Sequence, residues 1–174
     1  MPPPQVPAPV PATPRSLQLK IRDARDADAD GLIALIEACY SEYEGCVLDV
    51  DGEAPELQGI ATAHAAQGGR FWVAESDGVV LGSVGIVPNG DGAFELKKLY
   101  VTKEARRMGL GRRLLSLAEV EAMSRGARAI ELWSDTRFAD AHRLYDRQGY
   151  TLLPETRELH DKSASVEYHF RKEL

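Results

Sequence analysis

The chain has 174 residues, of which 44% are apolar, and this is enough to build the core of one domain of ordinary size. Its 21 basic and 27 acidic residues give a net charge of -6, which argues against non-specific nucleic-acid binding because such binding uses a basic face. No apolar run approaches the roughly 18 residues of a membrane span. Cys39 and Cys46 fit neither a redox nor a zinc motif, so we expect a cytoplasmic protein without a metal.

Proline dominates the start of the chain. Residues 1–14 contain seven of the ten prolines and no charged residue. Proline at this density favours an extended, poorly packed chain, and the segment lacks the basic start and long apolar centre of a signal peptide. We therefore expect residues 1–16 to form a disordered tail and residues 17–174 to form a single domain.

Hydrophobic periodicity predicts seven strands and four helices in that domain. Asp77-Gly78 predicts a tight hairpin between the second and third strands. A strand, a helix and a strand in succession predict a right-handed parallel crossover between the fourth and fifth strands. The predicted order is strand 17–22, helix 32–43, helix 56–67, strands 70–75, 79–87 and 94–101, helix 110–125, strand 129–134, helix 138–145, and strands 150–153 and 166–170.

The ends of the first helix carry several acidic residues. Asp26 and Asp28 precede it and are candidates for its N-cap. The loop that follows it contains Asp49, Asp51 and Glu53. These carboxylates could attract a cationic amine, although a plain solvated loop is the simpler interpretation.

The fourth strand contains a break in its alternation. Phe94 and Leu96 share one parity, whereas Leu99 and Val101 share the other, so a regular strand would place the two pairs on opposite faces. One extra residue near 97–98 would place all four on one face, which predicts a β-bulge. The alternative is a strand that is buried on both faces and needs no bulge.

A basic, glycine-bearing turn lies between the fourth strand and the third helix. The first N–H groups of a helix have no partner within it, and Gly109 and Gly111 would let an anion approach them closely. Arg106, Arg107 and Arg112 add mobile positive charge. This predicts a pyrophosphate site, against the alternative of an ordinary loop with a solvated basic face. The spacing excludes both a P-loop and a Rossmann dinucleotide fingerprint.

With these motifs the sequence resembles the GCN5-related N-acetyltransferase (GNAT) superfamily over residues 17–174. The family signature Arg/Gln-x-x-Gly-x-Gly/Ala is matched by Arg106, Gly109 and Gly111. The later signature Leu-Tyr-x-x-x-Gly-Phe/Tyr is matched by Leu144, Tyr145, Gly149 and Tyr150, with Ala141 before it. The resemblance implies an α/β fold with a central twisted mixed sheet of about seven strands, flanked by about four helices, in which the fourth and fifth strands splay apart.

The resemblance also implies acetyl-coenzyme A as the acetyl donor, bound across the two splayed strands. Its pantetheine arm would run along Leu99, Tyr100 and Val101, and the bulge would leave the N–H of Leu99 facing the thioester carbonyl. The pyrophosphate would bind the backbone N–H groups of Arg107, Met108, Gly109, Leu110, Gly111 and Arg112.

One position departs from the family pattern. Many members carry an asparagine that contacts the pantetheine arm where this chain has Phe138. That contact could be lost, or it could come from Asp135 or Thr136. His142 and Arg143 lie nearby and could meet the coenzyme, or they could simply be surface residues of the helix.

The family positions imply two catalytic side chains. Tyr145 is the candidate acid for the coenzyme sulfur, and Glu95 is the candidate base that takes a proton from the amine through water. Glu131 or Asp135 could serve as the base instead. For Tyr145 the alternative is a buried structural tyrosine, and for Glu95 it is a surface carboxylate.

We therefore expect an N-acetyltransferase whose primary amine acceptor, a small molecule or a lysine or N-terminus of a peptide, attacks the thioester directly. Neither cysteine lies on a motif for a covalent acetyl-enzyme. A GNAT-fold module that binds acyl-coenzyme A without turnover is the alternative, and transfer of a longer acyl group is a third hypothesis. The final strand pairs subunits in some relatives, so a homodimer is an open expectation.

Overall fold

The computed structural model describes residues 18–174; the predicted proline-rich tail and Leu17 lie outside the described residues. The described part forms seven strands and six α-helices. The strands are β1 (Lys20–Asp23), β2 (Arg70–Ser76), β3 (Val79–Pro88), β4 (Ala93–Val101), β5 (Ala129–Asp135), β6 (Thr151–Glu158) and β7 (Val166–Glu173). The helices are α1 (Ala29–Tyr40), α2 (Val50–Glu53), α3 (Ile60–Ala66), α4 (Lys103–Arg106), α5 (Leu110–Ser124) and α6 (Ala139–Arg147). No helix in this part of the chain is both long and apolar enough to cross a bilayer.

All seven strands belong to one mixed sheet in the order β1-β2-β3-β4-β5-β7-β6. Only β4 and β5 pair in parallel, through Ala93–Glu95 and Ala129–Glu131, and beyond these residues the two strands separate. The other neighbours are antiparallel. The predicted sheet and its splayed centre are therefore confirmed.

Helices cover both faces of the sheet, and each face has its own core. α5 packs its fully buried Leu110, Leu114 and Leu115 on one face, and each such side chain contributes roughly 2 kcal/mol through burial. α1 and the segment up to α3 cover the other face, with Leu32, Leu57 and neighbouring residues in the second core. The gap between β4 and β5 thus lies between two rigid layers.

The predicted bulge in β4 is confirmed. Ser83 of β3 pairs with Tyr100, and Gly85 pairs with Lys97. These pairs are two residues apart on β3 and three residues apart on β4, so β4 contains one extra residue. Lys98 takes up the extra residue with a positive φ of 52°, and its carbonyl accepts a 2.7 Å hydrogen bond from the Ser83 hydroxyl. As a result, the apolar pairs on either side of the bulge reach the same core.

Several predicted boundaries differ from the structure. The predicted helix over 56–67 begins as a 3-10 turn (Pro55–Gly59) and becomes α-helical only at α3. The short strand predicted at 150–153 continues to Glu158 as β6, because residues 156–158 pair with the start of β7 at Val166–Tyr168. α2 and α4 were not predicted, since four residues are too few to show a helical period.

Of the two predicted N-cap candidates of α1, Asp28 holds the N-cap position, but neither side chain caps the helix. The Asp28 carboxylate does occupy the N-cap position of α1, but it binds Arg22 and the backbone N–H of Arg25 instead of the helix. Asp26 bonds Thr62 of α3. Both aspartates therefore bind partners other than the N–H groups of α1.

Candidate active site

A cavity of about 570 Å³, here called the larger cavity, fills the gap between the separating ends of β4 and β5. α1, the turn before α5, α6 and the loop between β6 and β7 complete its wall. Ten of the predicted coenzyme-binding residues line it: Leu99, Tyr100, Val101, Arg106, Arg107, Gly109, Gly111, Arg112, Asp135 and Phe138. Arg143 lines it too.

The start of α5 supplies free backbone donors at one end of this cavity. Gly109 is the N-cap residue with a φ of 70°, a conformation that glycine adopts without strain. A Cβ at this position would meet nothing within 4 Å, so the space in front of the helix is open. The first three helical N–H groups, of residues 110–112, have no partner inside the helix.

The preceding N–H groups are not free in the same way. Those of Met108 and Gly109 bond the carbonyls of Ala105 and Arg106, and that of Arg107 also bonds Ala105. The expectation that every N–H from 107 to 112 serves the anion is therefore corrected to the three at the start of α5. The short helix α4 could not be read from the sequence and accounts for the difference.

Arg106 is held in place and does not supply mobile charge as predicted. Its guanidinium binds both carboxylate oxygens of Glu42, at 2.7 and 2.6 Å, and its Nε donates to the Val101 carbonyl at 3.0 Å. The hydrogen bonds from Arg106 to Glu42 raise the pKa of the guanidinium further above its ordinary value. Arg106 thereby ties the turn before α5 to the end of β4 and to the turn that follows α1.

Three predicted coenzyme-binding side chains do not line the larger cavity. Met108 is 44% exposed, and Leu110 is fully buried in the core, although its backbone N–H belongs to the free set. The His142 ring packs between Tyr168 and Phe170, with Nε2 3.2 Å from the Ser134 hydroxyl. Helical spacing placed His142 beside the cavity but could not show that the ring turns toward β7.

Aromatic residues form much of the cavity wall. Phe138 packs against Tyr43 and Tyr40, with ring centroids 4.9 and 6.0 Å apart. Tyr40 also meets Tyr100, and their hydroxyl oxygens are 3.3 Å apart. Sequence reasoning missed Tyr40 and Tyr43 because they belong to the apolar stripe of α1, which was interpreted as core. The cluster includes Phe138, the position at which the family pattern has asparagine.

Tyr145, the predicted acid, is a buried residue of the cavity wall. It lines the larger cavity, is only 4% exposed, and packs against Phe170 and Tyr150. Burial raises the pKa of its phenol well above the ordinary value. The phenol therefore keeps its proton across the neutral range and can donate a hydrogen bond.

A second cavity of about 490 Å³, here called the smaller cavity, adjoins the first. Glu95 lines it and does not line the larger cavity. Residues common to both cavities include Tyr40, Leu96, Tyr100, Trp133, Asp161 and Glu167. The two cavities therefore meet through the gap between β4 and β5.

Glu95 occupies the point where the sheet divides. It is the last residue of β4 that pairs with β5, its side chain is 17% exposed, and Lys97 Nζ lies 3.4 Å from its carboxylate. The alternative base Glu131 lies opposite it but lines neither cavity. His169 and Arg171 hold the Glu131 carboxylate at 3.2 and 3.4 Å.

Asp135, the other alternative base, is bound by an arginine. Arg137 contacts both carboxylate oxygens, at 2.9 and 2.6 Å, and also donates its backbone N–H. Burial alone would raise the pKa of Asp135, but the hydrogen bonds from Arg137 outweigh it and hold that pKa below its ordinary value. An anion stabilised in this way is a poor proton acceptor.

Two of the three predicted loop carboxylates reach the site. Asp49 and Glu53 line the smaller cavity, whereas Asp51 binds Gln58 and does not. Asp49 pairs with Lys162 at 2.6 Å, and Glu53 accepts the Lys162 backbone N–H at 2.7 Å. The acidic loop is thus tied to the loop between β6 and β7, and together they enclose the smaller cavity.

Comparisons with known proteins agree with this geometry. The sequence pattern of the acetyltransferase (GNAT) family matches residues 32–150. The chain is 28% identical over 137 residues to the uncharacterized N-acetyltransferase YhfO of Bacillus subtilis (strain 168), covering 76% of this chain and 89% of that protein. It therefore belongs to the acetyltransferase (GNAT) family and is an acetyltransferase.

Two solved structures share the fold. A GNAT-family acetyltransferase from Staphylococcus aureus Mu50 superposes with a TM-score of 0.78 at 21% identity, covering 90% of this chain and 99% of that one. The PaiA N-acetyltransferase of Thermoplasma acidophilum, in complex with coenzyme A, superposes with a TM-score of 0.72 at 18% identity, covering 91% and 100%.

Proposed function

We propose that the chain transfers an acetyl group from acetyl-coenzyme A to a primary amine on a small molecule or a peptide, by direct attack of the amine. The observation that carries the proposal is the junction of the two cavities at the divided sheet. Tyr145 lines one cavity and Glu95 the other. A donor in the larger cavity and an acceptor in the smaller one would meet at that junction.

The larger cavity fits acetyl-coenzyme A, which supplies an acetyl group activated as a thioester. The free N–H groups of residues 110–112 and the side chains of Arg107 and Arg112 suit a pyrophosphate. The separated edge of β4 along Leu99–Val101 suits an extended arm that adds to the strand. Because Gly109 has no side chain and its surroundings are open, a pyrophosphate can approach these N–H groups closely.

Glu95 is the residue we assign to proton removal from the acceptor. A lysine-like amine has a pKa of roughly 10.4 and must lose a proton before it can attack. Glu95 stands beside the junction, on the acceptor side, and can take that proton directly or through a water molecule. Glu131 and Asp135 are occupied by other side chains and do not compete for the role.

We assign stabilisation of the oxyanion to the bulge in β4. The extra residue at Lys98 takes the strand out of its regular pairing with β3 immediately before Leu99. In a bulge one residue is left out of the ladder, so its N–H can point elsewhere. A single preorganised donor of this kind is worth about 3 kcal/mol in the transition state.

Tyr145 is the residue we assign to the departing sulfur. Because burial keeps the phenol protonated, it stabilises a developing thiolate by hydrogen bonding and delivers a proton as the bond breaks. A covalent acetyl-enzyme on Cys39 is disfavoured, since burial raises the pKa of that thiol and keeps it neutral. Direct attack needs no such intermediate.

The test is acetyl-coenzyme A turnover, followed by thiol release, against a panel of amines, polyamines, amino acids and lysine peptides. Tyr145→Phe and Glu95→Gln should each lower kcat by about a hundredfold. Tyr168→Phe and Glu131→Gln are matched controls, because neither residue lines a cavity. Silence of the parent protein across the panel, with coenzyme binding retained in calorimetry, would overturn the transferase in favour of a non-catalytic acyl-coenzyme A-binding module.

A further inference from the structure

One arginine joins three segments that are far apart in the sequence. Arg137 follows β5, and its Nε and Nη2 donate to the two carboxylate oxygens of Asp135, at 2.9 and 2.6 Å. Nη1 donates to the Glu44 carbonyl at 3.4 Å, in the loop between α1 and α2. Nη2 also donates to the Ser163 carbonyl at 3.2 Å, in the loop between β6 and β7. A single guanidinium therefore links the end of β5 to both loops.

A glycine lets the first of these loops pass close to the guanidinium. Gly45 has a φ of 80°, a conformation that favours glycine. A Cβ at this position would lie only 3.4 Å from Arg137 Nη1. The contact between Arg137 and the loop between α1 and α2 is therefore built into the backbone of that loop.

The two loops also bind each other beside Arg137. The Ser163 hydroxyl accepts the Val47 N–H at 2.8 Å and donates to the Val47 carbonyl at 3.1 Å. Ser163 is only 7% exposed, so these hydrogen bonds are shielded from water. Arg137 binds the carbonyl of the same serine, and this places it at the point where the loops meet.

The residues that these bonds hold in place line the cavities. Val47 and Asp49 line the smaller cavity and not the larger one. Asp161 lines both, and Ser165 donates to its carboxylate from the hydroxyl and from the backbone N–H, each at 2.7 Å. Arg137 Nη2 lies 3.4 Å from that hydroxyl, but Arg137 itself lines neither cavity. It can therefore act on the site only through the two loops.

We propose that Arg137 is a positioning residue of the acceptor site. It fixes both loops against the end of β5, and it thereby sets the width of the smaller cavity and the place of Asp161 at the junction. Because Val47 and Asp49 border only the smaller cavity, loss of these links weakens amine binding more than binding of acetyl-coenzyme A. This inference rests on the proposed function and names a residue that shapes its acceptor site.

Arg137→Lys tests the proposal, because a lysine keeps the charge but cannot bind Asp135 with two nitrogens and both loops at once. KM for the amine that gives the highest kcat/KM in the panel should rise about tenfold. KM for acetyl-coenzyme A, and Kd of coenzyme A in calorimetry, should change by less than about threefold. Hydrogen exchange should accelerate about tenfold at the amides of Val47 and Lys162, which bond from one loop to the other segment.

Arg70→Lys is the matched control for that variant. Arg70 contacts Asp23 in the same way, from Nε and Nη2 at 2.7 and 3.1 Å, and it makes a third bond to Glu121 at 2.9 Å. It lines neither cavity. The control should therefore leave both KM values and the hydrogen exchange of the two loops unchanged.

Ser163→Ala examines the same loops with Arg137 intact, and it keeps the test valid if Arg137→Lys fails to fold. It removes the hydroxyl that binds Val47 and should also raise KM for the amine more than KM for acetyl-coenzyme A. Ser124→Ala is its control, since it removes a hydroxyl bond to the Glu121 carbonyl at the end of α5. In the double variant of Arg137 and Ser163, KM for the amine should rise by less than the product of the single effects, because both changes loosen one contact.

The outcomes distinguish this inference from the proposed function. Equal rises of the two KM values in Arg137→Lys, or equal effects of Arg137→Lys and Arg70→Lys, overturn the positioning role while the transferase stands. Effects of Arg137→Lys and Ser163→Ala that simply multiply in the double variant also overturn it. Turnover of the parent protein with none of the amines in the panel overturns the transferase itself, and the acceptor role of Arg137 with it.

Discussion

The hydroxyl oxygens of Tyr40 and Tyr100 lie 3.3 Å apart at the junction of the two cavities. Tyr40 ends α1, and Tyr100 follows the bulge of β4. Burial raises the pKa of both phenols, so both stay protonated in the neutral range. The pair therefore links the end of α1 to β4 just after its bulge.

Removing one hydroxyl of this pair should cost stability more than catalysis. Tyr40→Phe leaves the buried Tyr100 hydroxyl without its partner and should lower the free energy of unfolding by about 1 kcal/mol, measured with urea. Tyr43→Phe is the matched control, because Tyr43 belongs to the same aromatic cluster but not to the pair. If Tyr40→Phe lowered kcat as much as Tyr145→Phe, the acid role would have to move to the tyrosine pair.

Gly109→Ala should weaken coenzyme binding. Its φ of 70° strains an alanine by about 1 kcal/mol, and the new Cβ would stand in the open space before the free N–H groups. We expect KM for acetyl-coenzyme A to rise by about tenfold, which corresponds to about 1.4 kcal/mol of binding.

Gly78→Ala provides the comparison for that variant. Gly78 has a φ of 78° and equally open surroundings, but it lies in the β2–β3 hairpin. Both variants should lose similar stability in thermal unfolding, and only Gly109→Ala should change KM. A similar rise of KM in the two variants would show that strain, and not the lost space, is responsible.

Arg106→Lys should loosen the turn before α5. A lysine cannot keep the two contacts to Glu42 together with the hydrogen bond to the Val101 carbonyl. We expect KM for acetyl-coenzyme A to rise about threefold to tenfold, with a smaller change in kcat, in steady-state kinetics. Arg113→Lys, an exposed change near the start of α5, should leave both constants unaltered. Equal effects of the two variants would contradict a positioning role for Arg106.

His64 should make the protein less stable in mild acid. Desolvation by burial lowers its pKa to about 4, although the Ile60 carbonyl opposes the shift. Between the ordinary value of 6.5 and about 4, the unfolded chain binds a proton that the folded protein does not. The free energy of unfolding therefore falls as the pH is lowered through this window, by at most about 3 kcal/mol, and the full stability is present above the window.

Urea unfolding at a series of pH values checks this effect. His64→Gln should flatten the dependence of stability on pH between about 6.5 and 4, because the group that titrates has been removed. His160→Gln, an exposed histidine change, should keep the slope of the parent protein. An unchanged slope in His64→Gln would show that His64 does not titrate in this way.

The wall of the larger cavity was largely predictable from the sequence, and the wall of the smaller cavity was not. The glycines before α5, the parity break in β4 and the position of Tyr145 are local patterns, so their consequences could be read from neighbouring residues. Asp161 and Glu167 reach the junction only because the antiparallel pairing of β7 with β5 brings a distant segment back to the gap. No pattern in the sequence predicts that this segment lies beside the gap between β4 and β5.

Side-chain partners were a second source of error. Arg106 was expected to be mobile, but Glu42, which holds it, lies on a different element. His64 looked like one more residue of an alanine-rich helix, since nothing local shows that Gly85 leaves room beside it. In both cases the chemistry depends on a contact between segments far apart in sequence.

The division of the sheet has a consequence for how the enzyme can diversify. Most of the wall of the larger cavity comes from the stretch between β4 and α6, whereas much of the wall of the smaller cavity comes from residues 47–67 and 157–167, which flank that stretch. Exchanges in these flanking segments can replace much of the smaller cavity, the acceptor site proposed above, without changing the glycines, the bulge or Tyr145. A chain with this arrangement can change its substrate while the reaction that it catalyses stays the same.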